Sequence, residues 1–188
     1  MVIAVVMTVH NEADIIEQSI THLWSEQVDR IICVDSGSTD GTRQLLPGLD
    51  VEIIDTDEPY HYQPEWLTAL ARLAGEDGAD WILPVDADEF WYGVSGDTIR
   101  ATLEQLPVTV RKLHVRAWQH LDWNHREIEY RSHGKVAFRY EPGLMVAPGN
   151  HDVFLPSGGP AYGGALDLRE LQFRSYDHMV RKCRERTA

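Results

Sequence analysis

The chain has 188 residues, of which 43% are hydrophobic, and these values predict one soluble globular domain with a full apolar core. Its 30 acidic and 17 basic residues give a formal net charge of −13, which argues against nucleic acid or an anionic membrane as a partner. No apolar run reaches the length of a membrane span, and the N-terminal run lacks the features of a signal peptide, so we expect a cytoplasmic protein.

The first half of the sequence alternates between strand patterns and helix patterns. Near-continuous apolar runs predict buried strands, and apolar residues at helical spacing predict the helices between them. Right-handed crossovers would arrange these strands in a mainly parallel sheet with helices on its faces. The predicted strands are residues 2–9, 30–36, 51–55 and 81–86, and the helices include residues 15–24, 42–46 and 64–75.

The second half has a weaker and more mixed pattern. A helix is predicted around residues 98–106, and alternating apolar residues predict two further strands. A last amphipathic helix is predicted from Ser175, and the chain ends inside it, which indicates a fragment of a longer protein. The two strands are residues 108–119 and 135–140, and loops rich in glycine and proline are predicted at 142–149 and 156–164.

The two cysteines lie in different predicted elements. Cys33 lies in an apolar strand and Cys183 in the last helix, so we expect reduced thiols rather than a disulfide.

Three carboxylates stand at the end of the fourth predicted strand, in the stretch ILPVDADEFW. Asp86, Asp88 and Glu89 would repel one another unless a cation or a raised pKa relieves the repulsion. They are therefore either ordinary turn residues or a metal site. Ligands of such sheets bind beyond the carboxyl ends of the strands, so we expect these acids to share one crevice with residues 10–12 and 35–38.

Three motifs in a fixed order resemble those of the family 2-like nucleotide-sugar glycosyltransferases of the GT-A fold, of the type that carries DADEF. They are TVHNE at 8–12, VDSGSTDGT at 34–42 and VDADEF at 85–90. The resemblance implies a single GT-A domain over residues 1–188, in which residues 1–92 bind the nucleotide sugar and residues 93–188 face the acceptor. Two later segments also resemble this group: GNHDV at 149–153 and LQFRSYDHMVRKC at 171–183.

The resemblance implies transfer of a hexose from a nucleoside-diphosphate sugar to a sugar, glycan or small-molecule acceptor. A divalent metal would stabilise the charge that gathers on the leaving diphosphate. By resemblance, Asp88 binds Mn²⁺ or Mg²⁺, and Asp86 contacts the ribose or sugar and the metal through water. His151 would supply a further metal ligand, unless it is an ordinary loop histidine.

The resemblance also assigns the nucleotide pocket to Val9, Asn11, Glu12, Asp35 and Ser36. Asp35 would accept hydrogen bonds from the base or ribose, and Glu12 would border the pocket. Each acid has a structural alternative, because Asp35 could begin an Asx turn and Glu12 could stabilise the helix dipole. Many family members carry two acids at the end of the second strand, whereas Ser36 follows Asp35 here, which leaves the base of the nucleotide open.

The resemblance favours inversion at the anomeric carbon, which requires a carboxylate to remove the proton of the acceptor hydroxyl. Asp152 is the first candidate for this base, and Glu89 is the second. Four late basic residues could neutralise the diphosphate or bind an anionic acceptor: Lys135, Arg139, Arg174 and Lys182. A solvated helix face is the alternative for Lys182.

The aromatic residues of the second half have two interpretations. Trp118, Trp123 and Tyr162 could stack on an acceptor sugar or fill the core.

Three other functions compete with the transferase. GNHD also occurs in binuclear metallophosphoesterases, but the D-x-H and G-D-x-x-D segments that build their metal sites are absent. A nucleotidyltransferase can share the sheet and the acids, but it typically has a glycine-rich loop with a basic residue after the first strand. The segment TVHNEAD at the end of the first strand here contains neither glycine nor lysine. A nucleotide-sugar-binding module without turnover remains as the third alternative.

Overall fold

The computed structural model describes residues 1–56, 63–127, 129, 134–176 and 178–180. In the described ranges, no helix is both long and apolar enough to cross a membrane. The strands are β1 Ile3–Val9, β2 Arg30–Asp35, β3 Glu52–Asp55, β4 Trp81–Pro84, β5 Glu89–Gly93, β6 Lys112–Gln119, β7 Lys135–Arg139, β8 Met145–Val146, β9 Val153–Phe154 and β10 Tyr162–Glu170. The helices are α1 Ile16–Ser25, α2 Thr42–Leu45, α3 Gln63–Glu76 and α4 Ile99–Glu104, with 3-10 turns at Leu46–Gly48 and Pro148–Asn150.

Eight strands form one sheet in the order β3-β2-β1-β4-β7-β6-β10-β5, and β8 and β9 form a separate hairpin. The strands β3, β2, β1 and β4 are parallel, which confirms the sheet predicted for the first half. Val9 of β1 pairs with Asp35 of β2, so both strands end at the same level. The loops that follow these strands therefore lie side by side at the carboxyl edge of the sheet.

The second half of the chain differs from the prediction, because the strands β5, β8, β9 and β10 were not expected. β8 and β10 occupy parts of the segments predicted as loops, and Gly163 and Gly164, which indicate a turn, lie inside β10. β10 pairs in parallel with β6 and antiparallel with β5, and its register shifts between Gly163 and Asp167. Such pairing over long sequence distances leaves little signal in a local pattern.

The chain leaves the middle of the sheet at the acidic motif. The fourth predicted strand ends at Pro84 instead of Asp86, and β5 begins at Glu89. β4 and β5 are consecutive in sequence, yet three later strands lie between them in the sheet. Asp86 and Asp88 therefore lie in the short connection by which the chain crosses from the centre of the sheet to its edge.

The core has two layers, one on each face of the sheet. Alternate residues of β1 point to opposite faces, so Val5 and Met7 pack with α1 and α4 while Ala4 and Val6 pack with α3. This two-sided burial explains why β1 is apolar throughout its length.

Cys33 is a buried free thiol in β2, as expected. Burial raises the pKa of this thiol, which keeps it protonated. Residues 176 and 178–180 are helical, in agreement with the predicted last helix, whereas Cys183 lies outside the described residues.

We expect the substitution Gly75→Ala to destabilise the protein, although alanine is the better helix former. A Cβ atom at position 75 would overlap the ring of Tyr140, and overpacking of this kind costs about 1–3 kcal/mol. Gly48→Ala is the control, because a Cβ atom there meets nothing within 4 Å. Chemical denaturation measures both variants, and equal stability of the two would contradict this packing.

Candidate active site

The loops after β1 and β2 are joined by hydrogen bonds. The backbone N–H of Ser36 donates to the carbonyl of Val9 at 3.0 Å, and Nδ1 of His10 donates to the carbonyl of Ser36 at 2.9 Å. Asn11 has a left-handed backbone with φ of 56°, and its Oδ1 accepts the N–H of Thr39 at 2.8 Å. These bonds fix two of the predicted nucleotide-binding segments relative to each other.

The DSGSTDGT motif holds the TVHNE loop in place, a role that the sequence did not indicate. Oδ2 of Asp40 accepts the N–H of Ala13 at 3.1 Å, and Oγ1 of Thr42 accepts the N–H of Glu12 at 2.8 Å. Asp40 also accepts a hydrogen bond of 2.6 Å from the hydroxyl of Thr42. The polar residues of this motif therefore position Glu12 before any ligand binds.

Asp35 begins an Asx turn through one of its two carboxylate oxygens, which was the structural alternative to nucleotide binding. Oδ1 accepts the backbone N–H of Ser38 at 3.0 Å, and the residue is only 5% exposed. The nucleotide-binding roles of Val9, Asn11, Asp35 and Ser36 remain predictions.

Asp86 is held by three donors from three parts of the chain. Nζ of Lys135 lies 2.6 Å from its Oδ2, while Nδ2 of Asn150 and Nε2 of Gln63 donate to its Oδ1 at 3.1 and 3.2 Å. The side chain is still 30% exposed, so a ligand can reach it. Asn150 and Gln63 were not predicted; for Asn150, the Gly-Asn pair inside the GNHD segment was a local signal.

Lys135 and Glu89 form a buried ion pair beneath Asp86. Nζ of Lys135 lies 3.1 Å from Oε1 of Glu89 and donates to the carbonyl of Gly149 at 3.0 Å. Glu89 also accepts the indole N–H of Trp91 at 3.0 Å and is 1% exposed. Lys135 therefore joins β5, the acidic connection and the loop that contains His151.

Burial is the main cause that raises the pKa of Glu89 to about 8, and the Lys135 ammonium opposes this rise. Burial would also lower the pKa of Lys135, but the charges of Glu89 and Asp86 outweigh it and raise this pKa. The lysine therefore remains an ammonium ion inside the carboxylate cluster.

Arg174 neutralises the other side of the crevice. Its guanidinium pairs with Glu12, donates to Asp14 at 2.8 Å and lies 3.8 Å from Oδ2 of Asp88. Partial burial raises the pKa of Asp14, but the hydrogen bond and charge of Arg174 outweigh it, so the pKa is lowered. Arg174 is only 9% exposed at its side chain, and Nε2 of His178 accepts another of its N–H groups at 2.7 Å.

The residues near Arg174 also have the chemistry of a cation site. Within the described part of the chain, Glu12, Asp14 and His178 are the one set of three or more such side chains whose ligand atoms lie within 4.8 Å of one another. Carboxylate oxygens and an imidazole nitrogen suit Mn²⁺, and carboxylates also suit Mg²⁺. The guanidinium of Arg174 already contacts all three residues, so a metal there would compete with it.

The predicted metal ligands Asp86, Asp88 and His151 do not form such a set. His151 donates from Nδ1 to the carbonyl of Gly134 at 2.8 Å and follows Asn150, the partner of Asp86. The metal assignment of these three residues stays a prediction.

Asp152 lines a cleft of about 500 Å³ together with Lys112 and Phe154. Its carboxylate accepts a hydrogen bond from Nζ of Lys112 at 2.8 Å and one from the N–H of Val153. Partial burial raises its pKa, but these two bonds outweigh burial and lower the pKa overall. The role of Asp152 as a base stays a prediction.

Replacing Lys135 with methionine should destabilise the protein by about 3–5 kcal/mol above about pH 8, because the ionised carboxylate of Glu89 then lies buried without its cation. The folded-state pKa of Glu89 would then rise further above the unfolded value. The difference from the wild type is therefore largest above about pH 8 and shrinks as the pH falls below 8, where Glu89 holds its proton in both folded proteins. Chemical denaturation at several pH values measures this effect.

Lys112→Met is the matched control, because it removes a lysine whose partner, Asp152, is 56% exposed at its side chain. Such a pair contributes about 0–1 kcal/mol. The buried pair would be contradicted if Lys135→Met lowered the free energy of unfolding no more than the control does, and if this loss did not depend on pH.

Comparison with known proteins gives the following similarities. The family model of Glycosyl transferase family 2 matches residues 4–106, more than half of the chain. A TPR repeat-containing protein of Synechococcus elongatus is 28% identical over 120 residues, which are 62% of this chain and 28% of that protein. Glucosyl-3-phosphoglycerate synthase from Mycobacterium tuberculosis, solved with phosphoglyceric acid, is 20% identical, with 64% of this chain and 44% of that chain covered and a TM-score of 0.43. Mannosyl-3-phosphoglycerate synthase from Rubrobacter xylanophilus is 22% identical, with 64% and 40% covered and a TM-score of 0.43.

The chain spans less than half the length of each of these three proteins. The family match includes the two loops at the carboxyl edge of the sheet and the DADEF segment. The α/β sheet, parallel in its first half and mixed in its second, is the GT-A architecture that the motifs predicted. From this match, the chain belongs to glycosyl transferase family 2.

Proposed function

We propose that the chain is a metal-dependent glycosyltransferase that moves a hexose from a nucleoside-diphosphate sugar to an acceptor, with inversion. The observation that carries this proposal is the convergence of Glu12, Asp86 and Asp88 at the carboxyl edge of a family 2 sheet. Arg174 approaches two of these acids and Lys135 holds the third. The crevice therefore combines anionic ligands for a metal with cations for a diphosphate.

In this proposal, Asp88 holds Mn²⁺ or Mg²⁺ and His151 contributes a further ligand. The metal, when bound, would stabilise the negative charge of the leaving diphosphate. Asp86 faces the sugar or ribose, and Lys135 and Asn150 fix its carboxylate in one orientation. A fixed carboxylate can orient a sugar hydroxyl without first losing side-chain freedom.

The base for the acceptor hydroxyl is proposed to be Asp152 or Glu89. Asp152 is accessible, and its lowered pKa keeps it ionised at neutral pH. Glu89 has the higher pKa, but Lys135 and Trp91 hold it in a buried position. Asp152 is therefore the better candidate, provided that the acceptor displaces Lys112 from it.

A second candidate is a nucleotide-sugar-binding module without turnover. One observation favours it: Lys135 and Arg174 together pair with Glu12, Asp14, Asp86 and Glu89. A crevice neutralised by its own cations could bind a nucleotide without a metal.

Titration of the protein with UDP, GDP and dTDP, with and without Mn²⁺, tests the proposal. We expect one nucleotide to bind in a metal-dependent manner, and Asp88→Asn to weaken this binding by more than about tenfold. Isothermal calorimetry measures the affinities, and circular dichroism checks that the variant is folded. Metal-independent binding that Asp88→Asn leaves unchanged would favour the binding module. Binding of none of the three nucleotides would contradict both candidates.

Arg174→Met should weaken nucleotide binding by about tenfold, because Glu12 and Asp14 would lose their cation and repel the diphosphate. Arg30→Met is the control, since Arg30 pairs with Glu52 and Asp77 outside the crevice. The same calorimetric titration measures both variants. If both bind the nucleotide as the wild type does, Arg174 has no part in diphosphate binding.

A further inference from the structure

A second cleft, of about 300 Å³, lies beside β5 and has no residue in common with the carboxylate crevice. Its walls come from α1, β5, β10 and the loop after β6. The aromatic and charged residues that line it are His22, Glu26, Phe90, Tyr92, Trp123 and Arg169. Its volume is at the lower end of the range for small-molecule sites.

One wall of this cleft is an aromatic surface that is already in place. The side chain of Trp123 is 51% exposed, and its ring meets Phe90 edge to face with 4.9 Å between centroids. Phe90 is 5% exposed and packs in turn against His22 at 5.4 Å. The exposed indole is therefore supported by the buried ring of Phe90 and the partly exposed ring of His22, and it lines the cleft.

The opposite walls carry polar groups of both charges. Glu26 accepts the backbone N–H of Ile99 at 2.8 Å through Oε2, and its Oε1 lies 4.0 Å from Nε2 of His22. The guanidinium of Arg169 lies over the ring of Tyr92 at 5.3 Å. The cleft thus combines a hydrogen-bond acceptor, Glu26, and a hydrogen-bond donor, Arg169, with the aromatic side chain of Trp123.

This combination selects the class of ligand. An anion that pairs with Arg169 would be repelled by Glu26, and a cation that pairs with Glu26 would be repelled by Arg169. A wholly apolar molecule would desolvate both groups without replacing their hydrogen bonds. A neutral molecule with hydroxyl groups and an apolar ring face satisfies both kinds of wall. The side chain of Glu26 is 13% exposed, and burial raises the pKa of its carboxyl group.

The three aromatic residues that could stack on a sugar, Trp118, Trp123 and Tyr162, differ in their surroundings. The indole N–H of Trp118 donates to Asp167 at 2.9 Å, and Arg126 lies over its ring at 4.0 Å. Tyr162 is exposed at the start of β10 and does not line this cleft. Trp123 is the one of the three that lines it.

We propose that this cleft is a saccharide-binding site, in which a sugar ring stacks on Trp123 and its hydroxyls bond to Glu26 and Arg169. This site is distinct from the donor crevice, and a saccharide could bind to it without a nucleotide in that crevice. β5 runs from Glu89 of the carboxylate cluster to Gly93 of the cleft, a rise of about 13 Å along the strand. That the bound saccharide is part of an acceptor rests on the proposed function.

The test uses the complete chain and a panel of neutral saccharides: the methyl glycosides of glucose, galactose, mannose and N-acetylglucosamine, with maltotriose and cellotriose. Saturation-transfer NMR and tryptophan emission detect binding. We expect at least one saccharide to bind the wild type, Trp123→Ala to weaken that binding by about tenfold or more, and Trp123→Phe to retain most of it. Tyr162→Ala is the matched control, because Tyr162 is also 51% exposed, and it should bind as the wild type does.

The proposal is overturned if no member of the panel binds the wild type, or if Trp123→Ala binds as tightly as Tyr162→Ala. Calorimetry of the same samples with UDP, GDP and dTDP separates this outcome from failure of the proposed function. Intact nucleotide binding without saccharide binding refutes the cleft alone. Saccharide binding without nucleotide binding refutes the donor crevice alone.

Discussion

The arrangement of the crevice depends on one buried ammonium ion. Lys135 lies between Asp86 and Glu89 and also binds the carbonyl of Gly149. Without it, two carboxylates at the end of a buried strand would face each other in a medium of low polarity, which is strongly unfavourable. Lys135 belongs to β7, which pairs with β4. The strand β7 therefore both extends the sheet and places the positive charge beside the acidic motif.

The first half of the fold could be predicted from sequence because its information is local. β1 is apolar throughout since both of its faces are covered, and α1 follows with apolar residues at helical spacing. β10 could not be predicted in this way. Its segment YGGALDLRE begins with glycines, and it becomes a strand by pairing with β6 and β5, whose positions no local pattern gives. The aromatic run of β5 is a strand for the same reason.

The candidate site shows a similar division. The sequence indicated that Asp35 and Asp86 would lie at the carboxyl edge of the sheet, because both follow predicted strands. It did not indicate the partners that orient them, since Ser38 bonds through a turn and Asn150 comes from a loop 64 residues after Asp86. Spacing along a chain can therefore locate a carboxylate, whereas the geometry around it depends on which distant segments pack there.

The position of β5 has a consequence for how the molecule forms during synthesis. β5 follows β4 in the sequence, but its neighbour in the sheet is β10, which the ribosome begins about seventy residues later. Until then, β5 has no partner in the sheet. Lys135 is made before β10, whereas Arg174, which lies 3.8 Å from Oδ2 of Asp88, is made only after it. The N-terminal segment would leave the ribosome with an unpaired edge and an unbalanced cluster of negative charge. The edge strand β5 and the acidic connection therefore gain their partners only after the C-terminal segments have been made.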